Sequence, residues 1–183
     1  LDLGCGDGKV GELAAKDGLE VALADVYQHD YISATGLSFQ LFRSGLSVNW
    51  QQQYDTALLL TVLHHSDDPL QTLDDAIQAT QKNGRIIVIE SVYGVADQTD
   101  FGRLSSDQQF AVNVFFDHFY NRIIHYNDDV TKKVNVPFNF NIPDAWKRIF
   151  EGKGLRQSAV HYLGIDQSLV PEYHILHVLD KHE

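Results

Sequence analysis

Cysteine, methionine and basic residues are what this sequence has least of. A single cysteine, Cys5, rules out an internal disulfide and gives no sign of an oxidising compartment. Lys and Arg total 14 against 25 Asp and Glu, and the resulting formal charge of −11 repels phosphate backbones and anionic lipid surfaces. Neither nucleic acid nor a membrane is expected as a partner. No apolar run reaches the roughly 18 residues that span a bilayer, and no signal-like segment precedes the first strand, so a cytoplasmic location is expected. The chain has no methionine and opens in mid-strand, which is expected of an N-terminally truncated domain. Internal repeats and low-complexity stretches are also missing. What is present is 183 residues with 44% hydrophobic and 11% aromatic content, enough to bury the core of one domain.

Strand-like and helix-like segments alternate through the first half, which predicts a parallel sheet covered by helices. Leu1 to Leu3 ends a strand, and Val10 to Lys16 reads as a helix stopped at Asp17-Gly18. Leu19 to Asp25, Leu37 to Phe42 and Tyr54 to Leu60 are the next strands. Ser66-Asp67-Asp68 supplies cap residues ahead of Pro69, after which Leu70, Leu73 and Ile77 recur at helical spacing up to Asn83-Gly84. Arg85 to Ser91 is nearly continuous in apolar residues, as in a strand buried on both faces. Ser106 to Gln109 has the form of a capping box and leads a helix in which Val112, Phe115, Phe119 and Ile123 would share a face. A helix from Pro143 carries Trp146, Ile149 and Phe150, and Leu155 to Leu163 and Tyr173 to Leu179 could pair antiparallel. The expected fold is α/β: a doubly wound, mostly parallel sheet with a C-terminal antiparallel hairpin, in one domain over residues 1–183. A helical insertion is expected at 94–141.

The first turn, "LDLGCGDGKVGEL", raises the functional question. Glycines between a strand and a helix let the backbone approach a ligand and aim amides at it. Gly6-x-Gly8-x-x-Gly11 satisfies the dinucleotide pattern, and Asp25 stands about where a ribose-binding acid belongs. Asp2, just ahead of the turn, and Asp7, inside it, would however repel a pyrophosphate. Two acids suit a ligand with a cationic end, such as an ammonium or sulfonium.

"LDLGCGDG" resembles the first motif of the class I S-adenosylmethionine-dependent methyltransferases, the seven-stranded Rossmann-like type. "ALAD", "YDTALLLTVLHHSDDP" and "NGRIIVIE" resemble later motifs of that family in the usual order, over about the first ninety residues. The resemblance implies that Gly4, Cys5, Gly6 and Gly8 form the turn under the methionine part of the cofactor, with Asp2 near its amino group. It implies that Asp25 binds ribose, that Val26 flanks adenine, and that Thr61, Val62 and Leu63 line the cofactor floor. Many relatives carry an acid after the third strand, where Arg43 and Ser44 stand here. The implied activity is methyl transfer from S-adenosylmethionine to a small-molecule acceptor, with S-adenosylhomocysteine as product. The alternatives are a non-catalytic module that binds either nucleoside, and a nicotinamide-dependent oxidoreductase.

Catalytic candidates are His64 and His65, whose imidazoles titrate near neutrality, together with Glu90 and Tyr93 at the expected site mouth. Cys5 reads as a small packing residue, since nothing in the sequence supplies it with a base. Tyr93, Asp117, His118, Tyr120, Asn121 and His125 are candidates for shaping the acceptor pocket. Asp117, Asn121 and His125 could share a helical face, but no HExxH-type spacing occurs, and no metal is expected.

Overall fold

The computed structural model describes residues 1–43, 48, 50, 53–121, 135–167 and 170–182. In chain order the elements are β1 (Asp2–Leu3), α1 (Lys9–Lys16), β2 (Ala22–Asp25), α2 (Ile32–Thr35), β3 (Ser38–Leu41) and β4 (Tyr54–Leu60), then a 3-10 turn (Leu63–His65). They continue with α3 (Pro69–Ala79), β5 (Thr80–Val92), α4 (Ser106–Phe119), α5 (Pro143–Gly152), β6 (Leu155–Gly164) and β7 (Tyr173–Lys181). The strands form one sheet in the order β3-β2-β1-β4-β5-β7-β6. Strands β1 to β5 are parallel, and β7 runs antiparallel between β5 and β6. This is the doubly wound α/β sheet with a terminal antiparallel pair that the alternation of elements predicts.

The core follows from the apolar strands. Leu3, Ala57, Leu59, Ile86 and Val88 are wholly buried in the central strands, and Leu73, Ala76 and Ala79 pack α3 onto them. On α5, Trp146 and Phe150 stack with centroids 5.7 Å apart, and Phe150 meets His177 of β7 edge-on at 5.1 Å. Burying each such ring contributes about 2–3 kcal/mol, which holds the C-terminal strands to the sheet. No described helix is long and apolar enough to cross a membrane.

Three local expectations change. Helix α3 ends at Ala79 and not at Asn83-Gly84, because Thr80 pairs with Tyr54 and the chain is already in β5. Asn83 takes a left-handed φ of 61°, and the pairing then resumes at Thr56 with Arg85, so the Asn-Gly pair makes a bulge inside a strand. A Cβ on Gly84 would stand 2.6 Å from Thr80 Cγ2, so only glycine fits that bulge. The capping box of α4 sits one residue earlier than expected, with Ser105 as the cap and Gln108 reaching back. "SSDQQ" permits either register by spacing alone.

The third change is the face α4 presents inward. Gln109, Asn113 and Asp117 are buried while Phe115 and Phe119 are 60% and 38% exposed. The Gln109 side chain donates to the carbonyls of Val95, Phe101 and Leu104 and accepts from the Val95 amide, and Asn113 donates to the Val92 carbonyl. The helix is therefore held to the loop after β5 by amide side chains satisfying backbone groups, where an apolar seam was expected. Ile123 lies outside the described residues.

Candidate functional site

Strand order reverses between β1 and β4, and at the carboxyl ends of those strands such a reversal opens a crevice. The glycine turn stands there. Gly4, Gly6 and Gly8 all take left-handed φ values, of 79°, 54° and 78°, and Gly8 caps α1. A Cβ on Gly4 would lie 2.5 Å from Val62 Cγ2, whereas one on Gly6 would meet nothing within 4 Å. Gly4 is fixed by packing, and Gly6 faces open space.

The amides of the turn are used within the protein. Those of Gly4 and Cys5 donate to the Ala24 carbonyl, that of Gly8 to the Cys5 carbonyl, and that of Lys9 to Asp7 Oδ1. The Gly6 amide donates to Asp25 Oδ2 at 2.7 Å, and the Val26 amide to Asp25 Oδ1 at 2.6 Å. Asp25, at the end of β2, thus ties the turn to the next strand and keeps lone pairs for a ligand hydroxyl. Burial lifts its carboxyl above the usual range, against the pull of the Gly6 and Val26 amides.

Asp2 is only 3% exposed. Its Oδ2 is buried with no hydrogen-bond partner, beside Gly11 of α1, and burial followed by the neighbouring Asp25 charge pushes its carboxyl up to about 6. It acts on the turn through its field, which reaches Cys5. The Cys5 thiol is pushed up to about 12 by burial and then by Asp25 and Asp2, which suits a packing role and excludes a thiolate nucleophile.

Directly after β4, Thr61 takes φ 58°, a strained value for a β-branched residue. Its amide donates to the Ile89 carbonyl and its hydroxyl to the Leu60 carbonyl. Val62 presses on Gly4, while Leu63 is wholly buried in the core. The turn is clamped by Glu90, whose Oε1 accepts from the amides of Val62 at 3.1 Å and Leu63 at 2.7 Å. Its Oε2 accepts from the His64 amide at 3.2 Å and lies 2.6 Å from His64 Nδ1. Burial raises the Glu90 carboxyl and lowers the His64 and His65 imidazoles. A neutral His64 facing a carboxylate carries its proton on Nδ1, which leaves the lone pair on Nε2.

His65 Nδ1 lies 2.8 Å from the Asn135 carbonyl, which can only accept, so His65 also keeps its lone pair on Nε2. That Nε2 is 3.7 Å from Asp117 Oδ1, and Asp117 Oδ1 accepts from Asn121 Nδ2 at 2.6 Å. Two stretches more than fifty residues apart in sequence, His64-His65 and Asp117, are thereby brought face to face.

The profile of a family described as a methyltransferase domain matches residues 1–156. The chain belongs to that methyltransferase-domain family. Its fold is that of the class I S-adenosylmethionine-dependent methyltransferases. A Methanosarcina mazei S-adenosylmethionine-dependent methyltransferase is similar with TM-score 0.71 at 12% identity, over 99% of this chain and 91% of that one. A Burkholderia thailandensis 1,6-didemethyltoxoflavin-N1-methyltransferase, solved with 1,6-didemethyltoxoflavin and S-adenosylhomocysteine, gives TM-score 0.65 at 13% identity, over 100% and 70%. The [4+2]-cyclase SpnF gives TM-score 0.65 at 9% identity, over 99% and 73%. At such identities the likeness shows the fold alone. Comparison with curated proteins returned no match.

In this methyltransferase domain Asp25 is joined to the turn at Gly6 and to Val26, and Val62 packs on Gly4, whereas Leu63 is in the core and Asp2 is buried. Glu90 lies inside β5, which runs on to Val92, so it is buried behind the crevice and away from the expected mouth. Tyr93 is half-buried against Phe110, with centroids 5.2 Å apart. His118 is exposed, Tyr120 half-buried and Asn121 buried. Ser44 and His125 lie outside the described residues. Glu172 was not expected: it sits buried at the start of β7, takes a hydrogen bond from Ser91, and is pushed up to about 8 by burial and then by Asp117 and Glu90. No sequence signal marks it, since its neighbours come from β5 and α4. A separate cleft of about 470 Å³, lined by residues including Gly94, Asp97, Pro143 and Tyr173, shares no residue with the glycine turn.

Proposed function

We propose that this methyltransferase domain binds S-adenosylmethionine and transfers its methyl group to a small-molecule acceptor. The observation that carries the choice of cofactor is the fate of the turn amides. In a dinucleotide site they would be offered to phosphate, whereas here they go to Ala24, Cys5, Asp7 and Asp25. The acids around the turn, Asp2, Asp7 and Asp25, repel a diphosphate and attract a cationic amino-acid end.

The residues present fit the cofactor. Asp25 retains lone pairs for a ribose diol, Val26 is 54% exposed and offers an apolar flank to a base, and Gly6 leaves room above the turn. Thr61 and Val62 form the opposite wall, and the buried charge of Asp2 favours an ammonium over the turn. When bound, S-adenosylmethionine supplies a methyl group on a sulfonium that is already a good leaving centre. The chain's task is then alignment and exclusion of water, with a base needed only for an acceptor that must lose a proton. The segment 94–141 is read as the cap over the acceptor, and within it α4 is tied to the loop after β5 by Gln109 and Asn113.

Calorimetry with S-adenosylhomocysteine tests the reading. Asp25→Ala removes a charged acceptor from two amides and from the ribose, and an affinity loss of about 100-fold, or about 2.7 kcal/mol, is expected. Preference for NAD, or no binding of S-adenosylhomocysteine, would overturn it. The same fold houses a cyclase, which supports a second reading in which the nucleoside is bound but no methyl moves. Methyl-labelled donor offered to a metabolite extract separates the two, because only a transferase yields a labelled product.

A further inference from the structure

We propose that His64, His65 and Asp117 form a site for a divalent transition-metal ion of the zinc class, at the carboxyl end of β4 beside the cofactor crevice. One ligand atom from each of the three lies within 4.8 Å of the other two. Zinc bonds to nitrogen and oxygen of roughly 2.0–2.2 Å place tetrahedral donors about 3.3 Å apart, so closing the site takes shifts of about an ångström. His65, the most exposed of the three, is the side chain with room to make them.

The supporting shell argues most strongly for an ion. Metal-binding imidazoles donate their other N–H to a carboxylate or carbonyl, which fixes the tautomer and aims the lone pair. Here His64 Nδ1 is held by Glu90, His65 Nδ1 by the Asn135 carbonyl, and Asp117 Oδ1 by Asn121. Each proposed ligand therefore has its own orienting partner, and both Nε2 lone pairs remain for the ion. Charge points the same way. Glu90, Asp117 and Glu172 are three buried acids, the first two of which act on Glu172, and Glu172 Oε1 is buried with no hydrogen-bond partner. Glu90 lies against His64 and Asp117 against His65. A dication relieves that repulsion, and two neutral imidazoles with one carboxylate suit zinc-class ions better than magnesium.

Three protein ligands leave a position open. On the methyl-transfer reading, which this role rests on, that position takes the acceptor's oxygen or nitrogen, lowers its pKa and holds it toward the cofactor floor at Thr61 and Val62. Such an ion would supply activation of the acceptor.

The test is titration of the chelator-stripped full chain with Co²⁺, followed by visible d–d absorption and by Zn²⁺ displacement. One equivalent of Co²⁺ is expected to produce an intense band that Zn²⁺ abolishes. His65→Ala and Asp117→Asn should each weaken Co²⁺ binding tenfold or more and alter the band, while the metal-free thermal midpoint of His65→Ala stays near the parent's. Absence of the band, or affinity unchanged in both variants, would overturn the site. Calorimetry of S-adenosylhomocysteine on the same metal-free chain keeps the two proposals apart. Nucleoside binding without a cobalt band removes only the ion, and a band without nucleoside binding removes only the methyl-transfer reading.

Discussion

Replacing Glu90 by glutamine should destabilise the domain by about 2–3 kcal/mol. Four donors converge on this carboxylate: the amides of Val62 and Leu63 on Oε1, and the amide and Nδ1 of His64 on Oε2. Glutamine keeps one oxygen, so the first two amides stay satisfied but lose the strengthening of an ionised acceptor. Its NH₂ group then faces the His64 amide across 3.2 Å, donor against donor, and leaves that buried amide without a partner. An orphaned buried donor costs about 1–3 kcal/mol, and weakening two charge-assisted bonds adds about 1–2. Burying a neutral amide is easier than burying a carboxylate, which returns part of the loss. Glu90→Ala strands all four donors and opens a cavity, so it should cost about 5 kcal/mol or more. Urea unfolding at neutral pH is the assay. With a slope of about 2 kcal/mol per molar, the glutamine variant's midpoint should fall by about 1–1.5 M and the alanine variant's by more. A glutamine variant that unfolds with the parent would refute the idea that Glu90 clamps the turn after β4.

Two glycines in the same loop should behave differently. Gly4→Ala places a methyl 2.5 Å from Val62 Cγ2 at a left-handed φ and should lower stability by about 3 kcal/mol in denaturant unfolding. Gly6→Ala meets nothing within 4 Å, so it should cost only about 1 kcal/mol while clearly weakening S-adenosylhomocysteine in calorimetry. Equal stability losses would show that the loop is not divided into a packed and an open side. His177 is wholly buried in β7, donates Nδ1–H to Gln157 Oε1, and is held down to about 4 by burial. The unfolded chain binds this proton below about pH 6.5 and the folded one does not, so stability falls with pH between about 6.5 and 4, by up to about 3 kcal/mol from this group. Subtracting the urea stability profile of His177→Gln from the parent's isolates that slope, and parallel profiles would disprove it.

Much of the fold was legible because strands buried on both faces leave continuous apolar runs and helices leave caps. Tyr54–Leu60, the Asp68-Pro69 start of α3 and the stacked Trp146 and Phe150 of α5 follow from such local rules. Boundaries failed where local chemistry permits two outcomes. Asn83-Gly84 can end a helix or make a bulge, and pairing of Thr80 with Tyr54 chose the bulge. Helix α4 misled in the same way: its aromatics read as a core face, but the unsatisfied backbone of the loop after β5 draws Gln109 and Asn113 inward.

By itself the sequence determined the order of elements, the glycine turn and the acid Asp25 at the end of β2, because each depends on residues close together in the chain. Only the tertiary structure decided what those pieces face. Asp2 was buried ahead of the glycine turn, Glu90 clamped the separate turn after β4, and His64-His65 met Asp117 of α4. A buried carboxylate takes its role from the donors that surround it, and here those donors arrive from β4 and the turn after it, stretches that neither periodicity nor spacing connects to it.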